Sequence, residues 1–131
     1  MLKKFIPALL LLTGCTANPP SQHSVDCNRL EPFTLSDYTR TLASADIENL
    51  PMPKRLYMPD YPKLLLQKGV EGQATVQYEV LESGRVENIQ VVSSSNQQFA
   101  TSFKQAVTCW SFEPAHQVST LQQTFFWQLE G

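Results

Sequence analysis

Few side chains in this 131-residue chain stand where they could make or break bonds together. Its two histidines, His23 and His116, lie far apart, and neither falls at metal-ligand spacing from a cysteine. Glu79 with Glu82, and Glu113 with His116, are near enough in sequence to be imagined as acid–base pairs. Charges on strands and loops usually only solvate a surface, however. No nucleophile motif and no glycine-rich phosphate loop accompanies them. The expectation is a protein that is not an enzyme and that uses no cofactor and no metal. A different kind of chemistry is open to Ser119, Thr120, Leu121, Gln122, Gln123 and Thr124. This run is uncharged and strand-compatible, and an unpaired strand edge offers its backbone donors and acceptors to an incoming strand.

The chain has room for one hydrophobic core. Hydrophobic residues make up 42% and charged residues 17%, a globular rather than a disordered balance. Net charge is −2, and loss of Lys3 and Lys4 with the leader described below would leave eight positives against twelve negatives. An acidic domain without a basic stripe is a poor ligand for phosphates, so no nucleic-acid partner is expected.

The elements that must position these residues follow from hydrophobic period. Leu35, Tyr38 and Leu42 fall at helical spacing within a segment from Thr34 to Ala45, with Thr34 or Ser36 as its cap. Pro51, Pro53 and Pro59 keep the next stretch extended and irregular. A short helix then opens at Pro62, with Asp60 as candidate cap, and closes at Gly69. From Gly72 to Leu81 apolar and polar residues alternate strictly, a strand with one buried face. Gly84 turns the chain into a second strand, Arg85 to Ser93, where Val86 and Val92 fall out of phase with Ile89 and Val91; a bulge or a partly two-sided strand is expected. Phe99, Phe103, Ala106, Val107 and Trp110 form one continuous helical stripe. A last strand runs from about Val118 to Leu129. The expected fold is α+β, an antiparallel three-stranded sheet with helices packed on one face.

At the start of the chain, Lys3 and Lys4 precede an apolar run from Phe5 to Leu12 that is about half the length needed to span a bilayer. Leu12-Thr13-Gly14-Cys15 resembles the lipobox of bacterial lipoproteins. That resemblance implies a signal peptide over 1–14, cleavage before Cys15, acylation of Cys15 and attachment to the outer membrane through the lipid. Thr16 to His23 then reads as part of a flexible tether, 15–27, and these eight residues reach at most about 28 Å. With Cys15 acylated, Cys27 and Cys109 remain, either as a disulfide in an oxidising compartment or as two buried thiols. An N-terminal extension with a short helix is placed at 28–58, and the main domain at 59–131.

Tyr61-Pro62, Gly69, Val70-Glu71-Gly72, Gly84-Arg85-Val86, Ser93-Ser94 and Trp110-Ser111-Phe112-Glu113-Pro114 follow one another at the spacing of a known pattern. In this the chain, from Pro59 to Leu129, resembles the C-terminal domain of the TonB family of periplasmic energy transducers. The resemblance implies a binding module that takes up a segment of an outer-membrane receptor, or of another envelope protein, by adding it as a strand. Ser119 to Thr124 would supply the edge, and Tyr57, Met58 and Asp60 a flanking contact, with Met58 standing where the family has a polar residue. A family member that transmits a proton gradient carries a membrane helix and a long Pro-rich span. Here the apolar run and the tether are both short, so a lipid-anchored binder linked to transport is expected rather than a transducer. The alternative is a structural envelope lipoprotein whose edge pairs only with another copy, as a homodimer.

Overall fold

The computed structural model describes residues 26–44 and 49–130, so Cys15, His23 and the tether up to residue 25 lie outside the described residues. In chain order the elements are α1 (Leu35–Arg40), β1 (Leu42–Ser44), β2 (Pro53–Arg55), α2 (Lys63–Gln67), β3 (Gly72–Val80), β4 (Val86–Ser94), α3 (Gln97–Thr108), β5 (Ser111–Phe112) and β6 (Ser119–Trp127). The main sheet has four strands, not the expected three, in the order β1-β6-β3-β4 with every neighbour antiparallel. β2 and β5 form a separate two-stranded ribbon.

The added strand arises because α1 stops early. Thr34 caps it through a capping box with Asp37. At the other end the hydroxyls of Thr39 and Thr41 turn back onto the carbonyls of Leu35 and Asp37. Such bonds compete with continued helix. Leu42 therefore leaves the helical period and enters a strand, while Leu35 faces solvent and only Tyr38 of the expected stripe is fully buried. Asp60 does not cap α2, whose N-cap is Pro62 without a side-chain bond. Instead Asp60 pairs with Arg29 at 2.7 Å, and its carbonyl accepts from Trp127 Nε1 and Ser102 Oγ.

β3 runs as its alternation requires: Ala74, Val76, Tyr78 and Val80 are buried beneath α3, whose Phe99, Phe103, Ala106 and Val107 face them. The phase break in β4 is a real irregularity. Its register with β3 shifts twice, and Asn88 takes a positive φ of 54° at one shift. Gly72 needs no unusual backbone angle. A Cβ there would lie 2.5 Å from the Phe99 ring, so its smallness lets β3 and α3 approach.

Residues ahead of position 59 share this core rather than extending from it. Leu30, Phe33, Tyr38 and Leu56 are buried, Phe33 stacks on Trp110 at 5.5 Å, and Tyr38 meets Phe112 at 5.8 Å. A disulfide joins Cys27, at the start of this arm, to Cys109 at the end of α3, with 5.7 Å between Cα atoms. Cys27 is thus fixed to the domain. Reduction should cost about 2–4 kcal/mol of stability. Urea unfolding followed by tryptophan fluorescence, with and without dithiothreitol, measures it, and coincident curves would refute it.

Candidate functional site

The run Ser119–Thr124 lies in β6, and β6 is not a free edge. β3 covers one side along its full length, from Ser119 opposite Val80 to Trp127 opposite Gly72. On the other side β1 pairs Leu42 with Gln123 and Ser44 with Gln122, and the Thr124 N–H donates to the Thr41 carbonyl at 2.9 Å. The expected open edge is therefore occupied, over Gln122 to Thr124, by the chain's own N-terminal arm. The physical reason is that an uncovered central stretch is a liability, and a short strap of the same chain satisfies it at high effective concentration.

Gln123 also differs from expectation, since its side chain is unavailable to any partner. It is 0% exposed. Its Oε1 accepts from the Tyr78 hydroxyl at 2.6 Å, and its Nε2 donates to the Tyr38 carbonyl and to Thr41 Oγ1 at 3.0 and 2.8 Å. Burial pushes the Tyr78 hydroxyl well above the ordinary tyrosine range, with Tyr38 adding to it, and burial raises Tyr38 too. Both remain donors at any ordinary pH. Sequence alone carried a signal for this amide: Gln123 falls in phase with Leu121, Phe125 and Trp127, the inward positions of the strand. Gln122 faces the other way and donates to Gln77 Oε1, and Thr124 shares a hydrogen bond with Thr75, so both belong to the polar outer face.

Beyond β1 the edge of β6 opens onto a groove of about 320 Å³, walled by Glu31, Met58, Asp60, Tyr61, Phe126 and Gln128 among others. Phe126, at 58% exposure, is the most exposed aromatic ring of the last strand. Met58 and Asp60 are thus brought beside β6. Tyr57 is not: it forms a bridge with Pro32, and its carbonyl accepts from Trp110 Nε1. Glu31 and Phe126 were not singled out in the sequence. Glu31 is placed there by backbone pairing of its segment with 56–58, including a bond from the Met58 N–H to its carbonyl at 2.7 Å. Ser119 to Leu121, at the opposite end of β6, border a smaller hollow of about 160 Å³ beside Asn49. A larger groove of about 710 Å³ lies on the far side of Asp60, between α2 and the start of α3. Its walls are mostly polar, and it meets no strand edge.

The other boundary of the sheet is β4, where two bulges interrupt the ladder, a common way of blunting an edge. Glu82, Glu113 and His116 are exposed, and Glu79 stands on the polar face of β3. Among the described residues, no three His, Cys, Asp or Glu residues gather as metal ligands, and no helix is long and apolar enough to cross a membrane.

The family model for the Gram-negative bacterial TonB protein C-terminal matches residues 57–128. The chain belongs to the TonB C-terminal family. Among curated relatives, the protein TonB of Pseudomonas aeruginosa is 35% identical over 63 residues, covering 47% of this chain and 18% of that protein. Protein TonB of Yersinia enterocolitica is 41% identical over 56 residues, 42% of this chain and 22% of the relative. That of Escherichia coli K12 is 30% identical over 74 residues, 56% of this chain and 31% of the relative. The chain thus spans less than a third of the length of these relatives. The solution structure of the Pseudomonas aeruginosa TonB C-terminal domain superposes with a TM-score of 0.57 at 29% identity, covering 60% of this chain and 86% of that one. The arm that carries α1 and β1 precedes the residues matched by the family model.

Proposed function

We propose that this chain is a lipid-anchored, periplasmic TonB-like binding module that takes up an extended segment of an outer-membrane receptor or another envelope protein, in the service of transport across the membrane. It acts by binding and not by catalysis, and its partner docks by strand addition. One observation carries this reading: β6 is a nine-residue strand whose second edge is covered by β1 over only its central residues and then runs on beside a groove with an exposed aromatic ring. Backbone pairing supplies affinity in such a mode, and flanking pockets supply selectivity. Membership of the TonB C-terminal family supports the choice of partner class.

The test is capture from detergent-solubilised outer-membrane proteins. The Thr124 N–H points toward β1, and strand alternation places the Phe126 N–H on the same edge, away from β3. Phe126→Pro therefore removes a donor on the open edge and leaves the β3 ladder in place. The wild type should recover a β-barrel protein, Phe126→Ala should recover it in part, and Phe126→Pro should lose it. Recovery of the chain's own copies alone would overturn the proposal. For the anchor, labelling with radioactive fatty acid should mark the wild type and not Cys15→Ser.

A further inference from the structure

Deepening the proposed function, and resting on its strand-addition reading, we infer that residues 42–44 are a built-in occupant of the docking edge. They form a replaceable strap that a guest segment must displace, and their own sequence indicates the chemistry of that guest.

The arm divides at Thr41, the C-cap of α1. Ahead of it the arm is a clamp: the Cys27–Cys109 disulfide, the stacked Phe33, the capping box of α1 and the fully buried Tyr38 ring all hold it, and the Tyr38 hydroxyl donates to the Pro51 carbonyl. Thr41 closes this clamp, its hydroxyl donating to the Asp37 carbonyl and accepting from Gln123 Nε2, and after it little remains. Leu42 is half-buried, Ala43 is exposed, and the ladder to β6 is short and slips register between Leu42 and Ser44. A hinge at Thr41 would let the strap leave while the clamp stays.

The floor of the site is prepared for that exchange. The Gln123 amide is held by the Tyr78 hydroxyl, the Tyr38 carbonyl and Thr41 Oγ1, and all three belong to parts that do not move with the strap. Departure of residues from Leu42 onward leaves this buried amide satisfied, so the open state does not carry a stranded polar group. What is exposed is the Thr124 donor and its neighbours, which any strand can pair.

The strap also reports what fits. Its residues, Leu42-Ala43-Ser44, are uncharged, with an aliphatic side chain opposite Gln123 and small ones after it. β1 runs antiparallel to β6, so the residues preceding the aliphatic one in an antiparallel guest continue toward Phe125–Trp127 and the groove beside Glu31 and Met58. No residue of α1 lines that groove, which leaves it to the guest. The preferred occupant is an extended, uncharged segment with one aliphatic anchor, preceded by a basic or apolar side chain that meets Glu31 or Met58.

The probe is a synthetic peptide of residues 40–46, Arg-Thr-Leu-Ala-Ser-Ala-Asp, offered in trans to the chain with its native disulfide intact. Three forms are compared: wild type, a weakened strap (Leu42→Asp with Ala43→Pro), and a locked strap (Ser44→Cys with Gln122→Cys, oxidised and mapped by mass spectrometry). Affinity scales with the open fraction, so the weakened strap should bind at least about tenfold tighter than wild type and the locked strap at least about tenfold weaker. Amide shifts should concentrate at residues 122–128. Equal binding by wild type and locked forms, or shifts elsewhere, overturns the inference; that comparison stands even if the weakened form fails to fold. Capture of an outer-membrane protein separates the two readings. If the locked chain captures it as well as wild type, the strap is refuted and the binding function survives. If the peptide behaves as expected and no form captures one, the strap survives and the proposed function falls.

Discussion

Replacing Tyr38 with alanine is expected to lower the unfolding free energy by about 3–5 kcal/mol, the usual cost of deleting a buried ring. Tyr38 is 1% exposed, packs its ring 5.8 Å from that of Phe112, and sends its hydroxyl to the Pro51 carbonyl at 3.2 Å. It lies ahead of every residue that the family model matches. If the arm were a loose extension, the substitution would cost no more than an exposed change, within about 0.5 kcal/mol. Tyr38→Phe separates ring from hydroxyl. It keeps the packing and loses one modest hydrogen bond, so about 1 kcal/mol is expected. Urea unfolding monitored by tryptophan fluorescence decides, since Trp110 packs against Phe33 of the same arm. A Tyr38→Ala protein as stable as wild type would restore a boundary at residue 59 and remove the clamp on which the strap depends.

That boundary shows where sequence reading succeeds here and where it does not. β3, β4 and α3 were legible because each carries its own period: strict alternation, a phase break that became two bulges, and one continuous apolar stripe. Local periodicity records which face is buried, and these elements bury a face of their own. The arm was not legible in this way. β1 is three residues long, too short for a period, and Leu42 happened to lie four residues after Tyr38, which mimics a helix. What sends Leu42 to β6 is a pair of threonine hydroxyls closing α1 together with a sheet edge some eighty residues downstream, and only the second is a long-range fact. The same holds at the candidate site. Ser119 to Thr124 reads as a strand with pairing capacity, and it is one. Which strand uses that capacity depends on topology, and the arm takes its centre. Gln123 was the one local clue, a polar side chain at an inward phase, which in a core demands partners from elsewhere in the chain.

Gly84→Ala is the second substitution expected to be severe, at about 2–4 kcal/mol or more. Gly84 sits in the turn between β3 and β4 with φ at +92°, a region that side chains rarely enter. A Cβ at this position would stand 2.0 Å from the Phe112 carbonyl oxygen and 2.9 Å from its carbon. Both are backbone atoms of β5, so no flexible side chain can yield. The turn is also bonded to that strand, because the Phe112 N–H donates to the Gly84 carbonyl at 2.9 Å. Relieving the clash therefore means parting the turn from β5, and β5 holds the ring that packs on Tyr38 and Tyr78. The conformational penalty and the loss of this contact add in the same direction. Ser83→Ala, one residue earlier and exposed, is the matched control and should stay within about 0.5 kcal/mol. Thermal unfolding of the two variants, with hydrogen exchange at the Phe112 amide, separates local from global damage. The expected result is a large fall in melting temperature and faster exchange for Gly84→Ala alone. Equal stability of the two variants would mean that the turn does not press on β5, and that the aromatic cluster is fastened to the sheet some other way.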